Sequence, residues 1–174
     1  MRKFDYTFLK KISVPADIMN SATSIYEMKA KAELRRTDFA DVFSAMESVA
    51  KIQSVKSSNA IERIITTDKR IRDIVNKSTV PQGHNELEIA GYRDALDLIH
   101  SSYSDIPFSE KSILELHRML LQPSGDDLAG KYKTEDNFIM ETDRRGVRSV
   151  RFTPVPASET SAAMEQLILA YHAT

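Results

Sequence analysis

Apolar residues recur every three or four positions through most of this chain, which is the spacing that places side chains on one face of an α-helix. Two long stripes stand near the amino-terminal end, the first after Pro15 and the second reaching residue 52. They consist of Ile18, Ala22, Ile25, Met28 and Ala32, and of Phe39, Val42, Phe43, Met46, Val49, Ala50 and Ile52. The pattern predicts a mainly helical, all-α protein.

A run of small polar residues interrupts the second stripe at residues 57–59, and a further helical stretch continues towards Asp73. In this interpretation Asn59 is the N-cap of the new helix. Glu62 reaches back from the third helical position and complements the helix dipole. The apolar residues that open this stretch are Ile61, Ile64 and Ile65.

Pro and Gly mark the next loop, around residues 79–83, and the clearest helical pattern follows it. Asn85 and Glu88 have the spacing of a capping box at the start of that helix. Ser109 is predicted to cap the following helix, and Ser158 is predicted to cap the last one. The apolar faces of the three helices consist of Ile89, Tyr92, Leu96, Ile99 and Tyr103, of Ile113, Leu116 and Leu120, and of Met164, Leu167 and Tyr171.

The periodicity changes between residues 137 and 153. Two short segments with alternating apolar and polar residues flank Asp143-Arg144-Arg145-Gly146, and Asp first with Gly fourth is typical of a type I turn. This region is predicted to be a β-hairpin with Phe138 and Phe152 on its inner face. The expected fold is therefore a helical bundle that carries one β-hairpin.

The amino-acid composition excludes several classes of function. The chain has 174 residues, with 24 basic and 25 acidic side chains, and this balance excludes a globally basic nucleic-acid-binding coat. The absence of cysteine excludes disulfides, cysteine–zinc sites and thiol nucleophiles. No apolar run is long enough to cross a membrane, and the first residues lack a secretory pattern. We expect a cytoplasmic protein with no membrane partner.

Residue spacing alone gives neither a catalytic site nor a metal site. His100 and His117 lie beside apolar helix positions, where a hydrogen-bonded structural histidine is the usual interpretation. Four arginines cluster on the predicted hairpin, and solvated charges that protect an open strand edge explain them best. Nucleic-acid binding through these arginines and strand addition by a peptide are less favoured alternatives. The arginines are Arg144, Arg145, Arg148 and Arg151.

Five stretches, in this order along the chain, resemble the amino-terminal part of Fic-domain proteins. Residues 58–62 resemble the family's inhibitory helix motif, S/T-x-x-x-E-G/N. Residues 86–96 and 113–120 resemble the first two helices of the Fic core, the second with its L-H pair. Residues 130–133 are similar to G-x-Y-R, which leads into the hairpin that the family calls the flap, and residues 152–156 are similar to the flap's exit. Arg63, Gly91 and Lys133 depart from the family pattern.

The resemblance implies a protein adenylyltransferase, which transfers AMP from ATP to a hydroxyl side chain of a target protein. The family's catalytic motif, H-x-F-x-[D/E]-G-N-G-R, does not occur in these residues. In the family that motif follows the helix that begins near Ser158, so we expect it beyond Thr174 and the chain to have been cut before it. We therefore expect no catalytic residue and no activity in this chain alone, with ATP and Mg²⁺ bound only by the complete protein.

The resemblance also implies a regulatory role for Ser58 and Glu62. Glu62 would pair with the second arginine of the catalytic motif, which otherwise holds the γ-phosphate of ATP, and the enzyme would be autoinhibited. The flap would hold a segment of the target protein in extended form. The flap residues implied are Asn137, Phe138, Ile139, Met140, Val150, Arg151 and Phe152.

The predicted organisation has two parts. Residues 1–80 form a helical region with the inhibitory helix near residues 57–74, and residues 81–174 form the first part of a Fic-like core with its flap at 137–153. Expected partners are a target protein and, in a homo-oligomer, a second copy, but not nucleic acid. The alternative is a non-enzymatic helical module that binds another protein.

Overall fold

The computed structural model describes residues 6–64 and 66–173, and helices dominate it. Ile65 lies outside the described residues. The all-α fold with one hairpin is confirmed. In the described part of the chain, no helix is both long enough and apolar enough to span a membrane. The elements are α1 (Ala16–Arg36), α2 (Ala40–Ile61), α3 (Asp68–Val75), α4 (Gly83–Ser102), α5 (Glu110–Leu121), β1 (Ile139–Thr142), β2 (Arg148–Phe152) and α6 (Thr160–His172).

Two compact units make up the chain, one formed by residues 8–93 and the other containing residues 94–173. The boundary falls within α4. In the first unit, the end of α2, the short α3 and the start of α4 pack together around apolar side chains. Those with the least exposure are Val55, Ile71, Ile74, Val75 and Ile89.

Arg70 on α3 fixes the loop that joins α3 to α4. Its Nε donates to Glu86 Oε1 at 2.8 Å, its Nη1 donates to Thr79 Oγ1 at 2.7 Å, and its Nη2 donates to the Val80 carbonyl oxygen at 3.2 Å. Glu86 Oε2 also accepts from the backbone N–H of Gln82 at 2.7 Å. The hydrogen bond from Arg70 lowers the pKa of Glu86 below its ordinary value.

The capping box predicted from Asn85 and Glu88 is wrong, because α4 already begins at Gly83. The side chain that reaches back to the start of the helix is Glu86, through its bond to Gln82. A polar loop rich in Pro and Gly locates the start of a helix only to within a few residues. The tertiary contact between Glu86 and Arg70 decides where α4 starts.

Most residues of the two amino-terminal stripes are exposed, whereas Ala22, Ala32, Phe43 and Ile52 are half-buried. Ile25, Met28, Val42 and Met46 each keep more than half of their surface accessible. The second stripe lies on roughly the opposite side of α2 from Val55, which contacts the core. The stripe residues are offset from Val55 by about half a turn of a 3.6-residue helix. The stripes thus mark a surface of the first unit, although an amphipathic stripe usually faces a core.

Helices α1 and α2 follow each other almost without interruption. The Phe39 backbone, at φ −127° and ψ 38°, leaves the helical region, yet its N–H still donates to the Arg35 carbonyl oxygen at 3.0 Å. Arg36 and Glu47 form an ion pair across this junction, 11 residues apart. Eleven residues of unbent helix would separate these positions by about 16 Å, more than the two side chains can span, so the chain bends between α1 and α2.

In the second unit, α5 and α6 make contact. The rings of Phe108 and Tyr171 lie 4.3 Å apart, and His172 Nε2 donates to the Phe108 carbonyl oxygen at 2.9 Å. Ser109 caps α5 as predicted, because its Oγ accepts from the Ser112 N–H at 3.2 Å. The cap predicted at Ser158 is wrong, since a 3₁₀ turn covers Ala157–Glu159 and α6 begins after it.

The antiparallel hairpin pairs β1 with β2, and Asp143 organises its turn. Asp143 Oδ1 accepts from the N–H groups of Arg145 and Val147 at 2.8 and 2.9 Å, and the Gly146 N–H donates to the Asp143 carbonyl oxygen at 3.0 Å. Gly146 has φ +80°, which only glycine adopts without strain. The turn predicted from Asp143 and Gly146 is confirmed.

Candidate functional site

Helix α2 continues through residues 57–59 and ends at Ile61, so the predicted interruption there is wrong. Asn59 is not an N-cap. Its side chain is buried, and Nδ2 donates to the Val55 carbonyl oxygen at 2.8 Å within the helix. A buried amide without a partner would cost free energy, and this internal bond removes that cost. Residues 57–74 therefore contain the end of α2 and all of α3 except its last residue.

The end of α2 forms a Schellman motif. The Ile64 N–H donates to the Asn59 carbonyl oxygen at 2.9 Å, and the Arg63 N–H donates to the Ala60 carbonyl oxygen at 3.1 Å. Arg63 has φ +61°, in the left-handed region where Gly or Asn is preferred. This is the position where the inhibitory motif has Gly or Asn. The departure at Arg63 therefore retains the backbone conformation that those residues favour.

Glu62 occupies the C-cap of α2 and is exposed. Among the described residues, none hydrogen-bonds to its carboxylate. The bonds that stop the helix join backbone atoms of its neighbours, so the Glu62 side chain is not needed for the helix end. Glu62 does not reach back to Asn59 as a first-turn residue, because it follows the helix instead of opening one.

Ser58 connects the end of α2 to α4. Its Oγ lies 2.8 Å from the Tyr92 Oη, and both side chains are partly buried. Tyr92 had been predicted as an apolar stripe residue, and its hydroxyl provides the link that sequence reasoning missed. A tyrosine on an apolar stripe carries a hydroxyl group that needs a hydrogen-bond partner when the ring is buried. That requirement is the sequence signal for this contact. Ser58 and Tyr92 belong to two of the stretches that resemble Fic proteins.

A second contact joins two more of these stretches. The Gly130 N–H donates to His117 Nδ1 at 3.2 Å, so His117 is a hydrogen-bonded structural histidine. Gly130 has φ +74°, and a Cβ added there would lie 2.9 Å from Arg118 Cβ. Both the backbone conformation and the close approach require glycine at this position. The L-H pair on α5 is thus held against the loop that precedes the hairpin.

Tyr132 secures the same loop to the start of α5. Its Oη donates to Glu110 Oε1 at 3.0 Å, and the Ser161 hydroxyl on α6 lies 3.5 Å from the same oxygen. Burial and the Glu110 carboxylate together raise the pKa of Tyr132 to about 12. Tyr132 therefore stays protonated and serves as a hydrogen-bond donor in the loop.

The hairpin is exposed along its whole length. Phe138 and Phe152 are 54% and 58% exposed, so the prediction that they anchor an inner face is wrong. In the part of the chain that the structure describes, β1 and β2 pair only with each other, and the outer edge of each strand keeps unpaired backbone groups. The residues predicted to dock a target all lie on or beside this exposed ribbon, namely Asn137, Phe138, Ile139, Met140, Val150, Arg151 and Phe152.

The described residues do not fit Mg²⁺ or the phosphates of ATP. They include no group of three or more His, Asp or Glu side chains that could hold a metal ion. Three glycine N–H groups in loops have internal partners: Gly125 donates to Gln122, Gly130 to His117 and Gly146 to Asp143.

Comparisons with known proteins do not assign the chain to a family. No model of a protein family matches it, and no curated protein matches its sequence. Its function has to be inferred from the motif stretches and from the contacts between them.

Proposed function

We propose that this chain is the regulatory and target-docking portion of a Fic-type protein adenylyltransferase. One observation carries the proposal: stretches of sequence selected for their resemblance to Fic motifs contact each other in pairs. Ser58 meets Tyr92 across 34 residues, and His117 meets Gly130 across 13. Each contact joins two stretches that were selected separately from the sequence.

The end of α2 has the properties of an inhibitory element. Ser58 fastens the helix to α4, buried Asn59 fixes its last turn, and the Schellman motif stops it after Ile61. Glu62 is then presented to solvent from a rigid support. An exposed carboxylate held in this way can accept a bidentate pair from an arginine, and it repels phosphate.

The hairpin has the properties of a docking element. Its open edges offer backbone N–H and C=O groups to an extended segment of a target protein, as in strand addition. Backbone bonds of this kind position a hydroxyl side chain with little dependence on the target sequence. The apolar side chains of Ile139, Met140 and Val150 remain accessible to the target.

The regulatory role is tested by Glu62→Gln in the intact protein that contains this sequence. Transfer of labelled AMP from ATP to protein targets should rise about tenfold, since the carboxylate takes part in a charged hydrogen bond worth about 1.5–3 kcal/mol. Glu165→Gln, an exposed carboxylate on α6, is the matched control and should change nothing. Equal AMP transfer in both variants would remove the inhibitory role.

The docking role is tested by replacing residues 140–150 with a short Gly-Ser turn. Modification of a protein target should be lost, while ATP binding by the intact protein is retained. Full modification by the shortened variant would exclude docking on the hairpin.

A non-enzymatic protein-interaction module is the second candidate, and the exposed apolar faces of α1 and α2 favour it. The two candidates differ in one measurement. If the intact protein transfers no AMP in the wild-type form or with Glu62→Gln, the interaction module becomes the better account.

A further inference from the structure

The charges of the hairpin divide between its two strands. Residues 137–143, which include β1, contain two acidic residues and no basic one, whereas residues 144–152, which include β2, contain four arginines and no acidic residue. The β2 side of the hairpin is therefore basic and the β1 side is acidic. The acidic residues are Glu141 and Asp143, and the arginines, all exposed, are Arg144, Arg145, Arg148 and Arg151.

The hairpin arginines lack the carboxylate partners that arginines have elsewhere in the chain. Three arginines outside the hairpin form ion pairs: Arg36 with Glu47, Arg70 with Glu86 and Arg118 with Glu115. Within residues 6–64 and 66–173, no carboxylate forms an ion pair with an arginine of the hairpin. A guanidinium group presents N–H donors in a fork that matches the two oxygens of a carboxylate. These arginines are therefore available to a carboxylate of another molecule.

The outer edge of β2 offers backbone groups at defined residues. The Asp143 N–H donates to the Val147 carbonyl oxygen at 3.0 Å, so these two residues form a hydrogen-bonded pair. Along an antiparallel ladder such pairs alternate with non-hydrogen-bonded pairs, whose N–H and C=O groups point away from the partner strand. Counted along the register from this pair, Arg148 and Val150 belong to non-hydrogen-bonded pairs. Their backbone groups therefore point out from the open edge of β2.

Arg151 lies at a β-bulge. The register passes from Val150 to Phe152 while β1 advances by one residue, which leaves Arg151 as the extra residue of β2. A bulge of this kind changes the direction of a side chain relative to a regular strand. Arg148 and Arg151 thus lie on either side of the outward-pointing backbone groups of Val150.

The base of the hairpin is held in place by two side-chain hydrogen bonds. Asp136 Oδ1 accepts from the Ala157 N–H at 2.6 Å, which ties the residues before β1 to those after β2. The Lys133 side chain donates to Asn137 Oδ1. An edge that is already ordered loses less conformational entropy when a partner binds. The β2 edge is therefore prepared for an extended partner.

We propose that the open edge of β2 binds an extended, acidic segment of the target protein, with carboxylates of that segment paired to Arg148 and Arg151. This inference rests on the proposed docking role of the hairpin. Backbone bonds hold the segment in extended form, as in strand addition, and they do not distinguish one sequence from another. The arginines supply the preference for acidic side chains, and Glu141 and Asp143 repel such a segment from the β1 edge.

A protein segment fits this edge better than nucleic acid does. The outward N–H and C=O groups of Arg148 and Val150 alternate as donors and acceptors that another peptide backbone complements. Nucleic acid offers no such backbone, and its phosphates would meet the carboxylates on the β1 side of the same ribbon.

Fluorescence anisotropy with three labelled ten-residue peptides tests the preference. The peptides share alternating Val and Thr residues and carry three Glu, three Gln or three Lys residues. The Glu peptide should bind the 174-residue chain about tenfold more tightly than the Gln peptide, which corresponds to about 1.4 kcal/mol and is within the range of two surface ion pairs. The Lys peptide should bind least tightly.

Charge reversal tests which side chains select the peptide. Arg148→Glu with Arg151→Glu should reverse the order, so that the Lys peptide binds most tightly, a result that loss of folding cannot produce. Arg35→Glu with Arg72→Glu is the matched control, because both residues are exposed outside the hairpin and the change in net charge is equal. The control should keep the wild-type order. The same order of peptides in both double variants would contradict pairing to Arg148 and Arg151.

Amide hydrogen exchange followed by NMR tests which edge is used. With the Glu peptide bound, the N–H groups of Arg148 and Val150 should exchange more slowly with solvent. The N–H groups of Thr142 and Met140, which point out from the edge of β1, should keep their rates. Protection on the β1 edge instead would contradict the proposal.

The peptide measurements separate failure of this inference from failure of the docking role. Equal Kd values for the Glu and Gln peptides, with both lost when residues 140–150 are replaced, would overturn the acidic preference alone. No binding of any peptide to the wild-type chain would overturn the docking role as well and leave the arginines as protection of an open strand edge. Tighter binding of a ten-residue oligothymidine than of the Glu peptide, lost with Arg148→Glu and Arg151→Glu, would assign the arginines to nucleic acid and overturn the proposal.

Discussion

The two halves of α2 have opposite surroundings, although both carry apolar side chains at helical spacing. In the second half Val55 is fully buried and Asn59 is 5% exposed, because α3 and α4 pack against this end. In the first half Val42, Met46 and Val49 are more than half exposed. An apolar stripe at helical spacing thus does not by itself tell whether a helix face is buried, because the contacts of the fold decide it.

The largest difference between the halves should appear on truncation of apolar side chains. Ile74→Ala removes a fully buried side chain on α3 and should lower the free energy of unfolding by about 2–5 kcal/mol. Met46→Ala in the exposed first half of α2 should change it by less than about 0.5 kcal/mol. Urea unfolding measures both. Equal losses would mean that the first half of α2 is also buried within the chain.

A polar residue in the packed half of α2 provides a second test of the difference between the two halves. Asn59→Ala removes the bond to the Val55 carbonyl oxygen and leaves a gap in a buried turn, so unfolding should become easier by about 1–2 kcal/mol. Ser57→Ala, two residues away on the exposed face, should leave stability within about 0.5 kcal/mol of the wild type. If Asn59→Ala proved neutral, packing at this end of α2 would not depend on the amide.

The end of the packed half contains a strained residue. Arg63→Gly removes the cost of a side chain at φ +61° and should stabilise the chain by about 1 kcal/mol, raising Tm by about 2–4 °C. Lys31→Gly, inside the regular helix α1, should have the opposite sign because glycine destabilises helix interiors. A lower Tm for Arg63→Gly would show that the Arg63 side chain makes a compensating contact.

The smallest expected effect depends on pH. Arg70 lowers the pKa of Glu86 in the folded chain, so the contribution of Glu86 to stability is present above the carboxyl's unfolded pKa and is lost as the pH falls through the folded one. The stability difference between the wild type and Glu86→Gln should therefore shrink as the pH falls below about 4.5. Thermal unfolding from pH 7 to pH 3 measures it, and a constant difference would contradict the ion pair's role.

The sequence predicted well what local chemistry decides. The Ser109 cap and the Asp143–Gly146 turn depend on side chains that bond to backbone groups within four residues, and both were correct. Helical periodicity gave the fold class for the same reason. Asn59 and Ser158 have the character of caps because small polar residues often cap helices, yet α2 continues through Asn59 and a 3₁₀ turn covers Ser158.

The candidate site was predictable as a set of residues but not as an arrangement. Ser58 and Glu62 were selected by a motif, whereas the bond between Ser58 and Tyr92 spans 34 residues and has no local signature. The exposure of Phe138 and Phe152 has no local signature either. Alternation of apolar and polar residues along a strand does not tell whether another element covers that strand. Long-range contacts decide both outcomes.

The Schellman motif at the end of α2 has a consequence for how this protein can evolve. Since backbone groups of Asn59, Ala60, Arg63 and Ile64 stop the helix, the residue at position 62 is under little structural selection. Mutations that add, remove or invert its charge should be tolerated by folding. Under the proposed inhibitory role of Glu62, natural variants at position 62 would change AMP transfer in a single step without first acquiring a compensating mutation.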